Sequence, residues 1–232
     1  MIYVIGDIHG CKEKYSEMLL KLSPGEHDAV FVLGDVLDVG EDGMEILREM
    51  MYCANIYPIL GEREYYARKL LGDIADCGSL EKALEELDGD KKELLTKWNE
   101  LGCEKTVNDF LRLSEEDRES VLDYLEEFVP YEKISCKGKS FVLCHAGIRD
   151  FDGEKALDDY SPEDFIFEKA DYDRIYFKDA YLVTGHTPTV TIGKEFAGKV
   201  YAKKRHLALD CAAAFGGRLA AVCLDTLKVY YC

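Results

Sequence analysis

Five short apolar runs in this chain end on residues that can hold a metal ion. Ile2–Ile5 leads into Gly6-Asp7, with His9 just beyond. AVFVLGD ends in Asp35, IYPILGE in Glu62, SFVLCH in His145 and YLVTGH in His186. Carboxylates and imidazoles make a poor core at the tip of a buried strand, because each needs a partner once water is removed. As a set they are mixed nitrogen and oxygen donors, which suit manganese, iron or zinc better than calcium. Any one motif is weak, since Gly-Asp after a strand is often only a turn. Their recurrence predicts one site assembled along one edge of a sheet.

The elements that must position them read as α/β. KEKYSEMLLKL carries Tyr15, Met18, Leu19 and Leu22 at helical spacing, and Ser23-Pro24-Gly25 stops it. Ala29–Leu33 is a continuous apolar run, the mark of a strand covered on both faces. The glycines of GDVLDVG allow tight turns around Asp35 and Asp38. Met44–Tyr52 reads as a second helix and Ile56–Leu60 as a third strand, a pattern of parallel strands with helices packed on them.

From about 64 to 128 the chain is charged and helical, with Leu84, Leu87, Leu94, Leu95 and Trp98 as its apolar stripe. Ser114 is a candidate N-cap for a helix whose Val121, Leu122 and Leu125 face inward. This stretch is expected to be a helical insertion within one domain spanning 1–232, with Trp98 in the core and not on a ligand. Strands return at Tyr131. The tail runs HLALDC, LAAVCLD and KVYY are expected to be antiparallel strands completing a second sheet.

The formal net charge of −17 would repel a nucleic-acid backbone, so no nucleic-acid partner is expected. Lys203–Arg205 is the one dense basic cluster and reads as solvated loop. Nine cysteines, an odd number with no CxxC pair, argue against a closed disulfide framework. The first ten residues are too short and too lightly flanked for a signal peptide, and no apolar stretch approaches the roughly 20 residues of a membrane span. A cytoplasmic protein with no membrane partner is the expectation.

In order, GDIHG, GDVLDVG, GEREY, HAGIRD and GHTPT resemble the GD-x-HG, GD-x-x-DRG, GN-H-E, HAG and GHT blocks of the metallophosphoesterase (calcineurin-like) superfamily, and within it the phosphoprotein-phosphatase branch. The tail HLALDCAAAFGGRLAAVCLD also looks like the family's closing block. The resemblance implies two β-sheets packed as a sandwich and flanked by helices. It further implies two divalent metal ions, manganese, iron or zinc. Asp7 and His9 would bind the first, Asp35 would bridge both, and Glu62, His145 and His186 would bind the second. Such a pair clamps a phosphate and activates the water that attacks phosphorus. The substrate would be a phosphorylated protein or a small phosphoester.

Three positions depart from the family pattern. Glu62 stands where the family has asparagine, Arg63 where it has histidine, and Val39 where it has the arginine of DRG. The family histidine protonates the leaving oxygen, oriented by the aspartate that is Asp38 here. Arginine keeps its proton at working pH and cannot replace it. Arg63, steadied by Asp38, either lies over the phosphate site in place of the missing clamp or forms a surface ion pair. Asp38 could instead cap the helix that follows it. Arg149, and more weakly Lys169, are further candidates to contact phosphate.

Three functions fit these residues. The first is a dimetal phosphomonoesterase resembling bacterial serine/threonine phosphatases. The second is a symmetrical dinucleoside polyphosphate hydrolase, and the third a catalytically impaired protein that binds metal or a phospho-ligand.

Overall fold

Along β1 (Ile2–Ile5) the side chains alternate, with Tyr3 and Ile5 on one face and Val4 on the other. That alternation separates two apolar cores in the computed structural model, which describes residues 1–232. The first sheet has the order β10-β9-β1-β2-β3, with β2 at Ala29–Val32, β3 at Ile56–Pro58, β9 at Ala220–Cys223 and β10 at Lys228–Tyr231. β1, β2 and β3 run parallel, whereas β9 and β10 add antiparallel.

The second sheet is β4-β5-β6-β8-β7, built from Tyr131–Cys136 (β4), Lys139–Cys144 (β5), Ala180–Thr184 (β6), Tyr201–Lys203 (β7) and His206–Ala208 (β8). Its central strands β5, β6 and β8 are parallel and its edges antiparallel. Val4, Leu33 and Val222 meet Phe141, Leu143, Val183 and Leu207 between the sheets. The α/β sandwich expected from the sequence is the fold observed.

The helices gather on the outer face of the first sheet. α1 (Lys12–Leu22) buries Tyr15, Met18 and Leu22 there, and ends where Ser23 turns left-handed. α2 (Gly43–Met51) adds Met44, Ile46, Leu47 and Met50. Five helices fill residues 62–126, namely α3 (Glu62–Cys77), α4 (Leu80–Glu86), α5 (Gly89–Glu100), α6 (Glu104–Leu111) and α7 (Glu115–Glu126). Ser114 caps α7 by accepting from the Asp117 N–H at 3.1 Å. The charged helical stretch therefore shares its core with the first sheet.

The tail differs from its expectation. β8 joins the second sheet parallel to β6, while β9 and β10 cross to the first sheet. All four residues of β9 are buried, so the strand suits only a place with a core on each face, and it takes the one beside β1. All nine cysteines are free thiols, and no helix is long and apolar enough to cross a membrane.

Candidate metal centre

The loops after the strands hold unusual backbone conformations. His9, Asp35, Asp38, Val39 and His186 all have positive φ, between 45° and 67°. Left-handed backbone at a non-glycine residue costs about 1–3 kcal/mol and persists only where its surroundings enforce it. For β-branched Val39, at φ 67°, the conformation is a clear outlier. Two glycines let the loops close on one another. A Cβ on Gly61 would lie 2.3 Å from the Asp35 nitrogen, and one on Gly185 2.0 Å from Asp7 Oδ1.

Glu64 supplies much of that enforcement. It is fully buried, and its carboxylate accepts the N–H groups of Asp35, Val36 and Leu37 at 2.7, 2.9 and 3.1 Å. Burial, then the charge of Asp35, push its pKa up to about 8 against the pull of those donors. Glu64→Gln would set an amide NH₂ against one of the N–H groups. The variant is expected to lose about 1–3 kcal/mol of stability in denaturant unfolding. It should also weaken metal binding by about 10–100-fold in a metal titration, although no candidate ligand is changed.

Two clusters share Asp35: Asp7, His9 and Asp35 form one, and Asp35, His145 and His186 the other. Within each, one donor atom per residue lies within 4.8 Å of the others. His145 Nδ1 is 2.7 Å from the Leu33 carbonyl and His9 Nδ1 3.2 Å from that of Leu37. A carbonyl only accepts, so both Nδ1 atoms carry a proton, which leaves the two Nε2 atoms as the ones that can bind a metal. Both Nε2 atoms face the Asp35 carboxylate, at 3.5 Å from His9 and 3.4 Å from His145. Donor atoms gathered this closely around a carboxylate need a positive charge among them, either a proton on Nε2 or a metal cation.

Asp7 Oδ1 and His145 Nε2 are also buried without a hydrogen-bond partner. Burial, then the charges of Asp210 and Asp35, drive the Asp7 pKa well up. Burial would likewise raise Asp35, but His145, His9 and Arg63 hold it below the ordinary carboxylate range. Burial lowers both His145 and His186. Neutral imidazoles and excess buried negative charge suit divalent cations, and the residues present fit a dimetal group.

The calcineurin-like phosphoesterase family model matches residues 1–217. The chain belongs to that family. Among its relatives, the asymmetrical bis(5'-nucleosyl)-tetraphosphatase of Oceanobacillus iheyensis is 25% identical, covering 82% of this chain and 78% of the relative. That of Halalkalibacterium halodurans is 24% identical over 94% and 88%. A symmetrical bis(5'-nucleosyl)-tetraphosphatase from Wigglesworthia glossinidia brevipalpis reaches 30% identity, but over 41% of this chain and about a third (36%) of its own length.

Among solved structures, a putative diadenosine tetraphosphatase superposes with a TM-score of 0.63 at 17% identity, covering 100% of this chain and 92% of the other. A Saccharomyces cerevisiae protein serine/threonine phosphatase gives 0.56 at 12% identity, over 99% and 78%.

The remaining candidates of this calcineurin-like chain separate into those near the clusters and two that are engaged elsewhere. Glu62, the first residue of α3, feels the charges of Asp35, Arg63, His186 and His9 but stands outside both clusters. The Arg63 side chain is 12% exposed, with Nε 3.8 Å from Asp35 Oδ2 and Nη1 3.9 Å from Asp38 Oδ2. It is therefore no surface ion pair. Its Nη1 also donates to the Leu101 carbonyl at 3.4 Å, and its backbone N–H to Asp35 Oδ1 at 3.0 Å. Arg149 is partly exposed and pairs with Asp164 at 3.6 Å, and Lys169 lies 5.9 Å from the ring centre of Tyr172.

Asp38 does not cap α2, whose N-cap position is Asp42. It accepts from Trp98 Nε1 at 2.8 Å and from Thr106 Oγ1 at 2.5 Å, and burial raises its pKa to about 6. Trp98 is thus a core residue that also holds the site, reaching it from α5 as Thr106 does from α6. Asp210 is a further buried carboxylate beside Asp7, Asp35, His9 and His186, and the sequence reading did not single it out. Its signal was available, because Asp210 ends the run HLALD as the other acids end theirs.

Proposed function

We propose that this protein is a dimetal phosphoester hydrolase that prefers weakly basic leaving groups, namely aryl phosphates and the phosphoanhydrides of dinucleoside polyphosphates. The sharing of Asp35 between two donor clusters carries the reading. Asp7, His9 and Asp35 would hold one ion and Asp35, His145 and His186 the other, with Glu62 at the edge of the second. When bound, the two ions neutralise the phosphoryl oxygens and lower the pKa of the attacking water.

The protein's own groups do the positioning. Glu64 fixes the loop that aims Asp35, and the Leu33 and Leu37 carbonyls fix the tautomers of His145 and His9. Arg63 keeps a permanent positive charge beside Asp35, which stabilises negative charge on a phosphate but cannot give up a proton to a departing oxygen. An alkoxide leaves slowly without that proton. A phenolate or a nucleotide phosphate leaves without it. The names of the nucleotide-cleaving relatives accord with this selectivity.

The test joins elemental analysis of the purified protein to a substrate panel with added manganese. The expected result is about two metal ions per chain and faster turnover of 4-nitrophenyl phosphate and diadenosine tetraphosphate than of a phosphoserine peptide. The difference should approach the ~10²–10⁴-fold that general acid catalysis contributes. Equal rates on alkyl and aryl phosphates would remove the selectivity. Stoichiometric metal with no turnover on the whole panel would leave a binding protein.

A further inference from the structure

Most large apolar side chains here are buried, but Phe215 is 65% exposed beside the candidate metal centre. Its ring centre lies 6.2 Å from that of His9, with the planes at 71°. The ring is carried by a single tight turn, Ala213–Phe215, bounded by left-handed Ala212 and Gly216. That turn is tied down on every side. Lys14 Nζ donates to the carbonyls of Ala213 and Gly217 at 2.6 and 2.8 Å, and the Ala212 N–H donates to Asp210 Oδ1 at 2.8 Å. Gly217 packs so closely that a Cβ there would come within 2.0 Å of the Cys211 carbonyl oxygen.

An exposed phenyl ring on a turn held this firmly forgoes the stabilisation that burying it would yield. The turn's backbone is already fixed, so little backbone ordering is lost when something stacks on the ring.

We infer that Phe215 is a stacking platform for the nucleobase of a nucleotide whose phosphate sits at the Asp7, His9 and Asp35 cluster, an inference that rests on the proposed phosphoesterase function. The substituent of a phosphate held beside His9 emerges next to this ring. The chain carries a net charge of −17, so long-range electrostatics oppose an anionic nucleotide and affinity must come from close contacts. Stacking on an aromatic face supplies such a contact, and it tolerates any base because every base has a π-face.

The experiment compares adenosine 5'-monophosphate with ribose 5-phosphate, which has the same phosphate and sugar but no base. Each is measured on the manganese-loaded protein as an inhibitor of 4-nitrophenyl phosphate hydrolysis. Saturation-transfer NMR of the adenine protons and of the sugar protons follows binding without turnover. The wild type is expected to bind the adenosine compound about tenfold more tightly, within the range measured for base–aromatic stacking. Phe215→Ala should bring the two affinities together by weakening the nucleotide alone, and Phe215→Tyr should restore the difference.

Equal binding of both probes by a wild type that turns over 4-nitrophenyl phosphate overturns the platform and leaves the function standing. So does an undiminished preference in Phe215→Ala. A wild type that hydrolyses no substrate but still prefers the nucleotide by NMR, with the preference lost in Phe215→Ala, upholds the platform and overturns the function. Binding of neither probe overturns the platform, and the function falls with it where 4-nitrophenyl phosphate is also left intact.

Discussion

Replacing Asp35 by asparagine should remove both metal ions and nearly all phosphatase activity from the protein. Asp35 is the one residue common to the two donor clusters. Its Oδ1 faces His145 and its Oδ2 faces His9. Asparagine keeps the shape and tolerates the left-handed backbone found there, at φ 47°, so the loop has no steric reason to move. It keeps one oxygen to accept the Arg63 N–H, as Asp35 Oδ1 does now. What it lacks is the full negative charge and a second oxygen for the other ion.

Turnover of 4-nitrophenyl phosphate should fall by at least the ~10²–10³-fold that loss of a single charge-stabilising group costs. Elemental analysis should show metal well below that of the wild type. Thermal unfolding without metal should occur at a lower temperature. Against its burial, Asp35 is held below the ordinary carboxylate range by His145, His9 and Arg63, so its charge stabilises the fold at neutral pH, and in the variant Arg63 loses a partner. The same measurement in excess manganese should show the wild type stabilised and the variant not, since a ligand raises stability only in the protein that binds it. Asp35→Asn that keeps full metal and activity would show that the shared carboxylate is not the bridge.

The strand-end pattern was readable because it combines two local signals, an apolar run and the residue that terminates it. Asp7, His9 and Asp35 follow β1 and β2 of one sheet, and His145 and His186 follow β5 and β6 of the other. The site therefore lies where the strand ends of two packed sheets meet, and not along the edge of one sheet as the pattern predicts. Trp98 and Thr106 gave no such signal. They meet Asp38 across separations of 60 and 68 residues, from helices whose apolar stripe predicts burial but not the carboxylate that receives their hydrogens. Glu64 opens a highly charged stretch and nothing in its composition marks it out, yet it is the acceptor for three consecutive backbone N–H groups.

The tail was misplaced for a different reason. β9 is apolar on both faces, which fixes that it is buried but not which sheet covers it. Only the pairing of Tyr3 with Cys223 and of Val4 with Val222 decides that, and pairing register is a property of two strands at once.

Arg63→His should raise turnover of an alkyl phosphate such as phosphoserine far more than that of 4-nitrophenyl phosphate. The arginine side chain reaches back toward Asp38, with Nη1 3.9 Å from Oδ2. An imidazole at position 63 starts from the same backbone, whose N–H stays bonded to Asp35 Oδ1. It would be oriented by Asp38, which Trp98 and Thr106 already hold in place. Beside a carboxylate an imidazolium is favoured, so the new residue carries a proton it can deliver.

General acid catalysis contributes about 10²–10⁴-fold, and the alkyl ester, with the more basic leaving oxygen, should recover most of it. The aryl ester needs no proton and should slow slightly, because the permanent charge of the guanidinium beside the phosphate is lost. The ratio of the two rates is therefore the decisive quantity, since it cancels any change in metal content. The rate on phosphoserine should also acquire a fall at high pH as the imidazolium deprotonates, a limb absent from the Arg63 protein because arginine does not titrate there. If the ratio stays put, Arg63 is not at the leaving-group position. Adding Val39→Arg and Glu62→Asn should then fail to restore alkyl turnover as well.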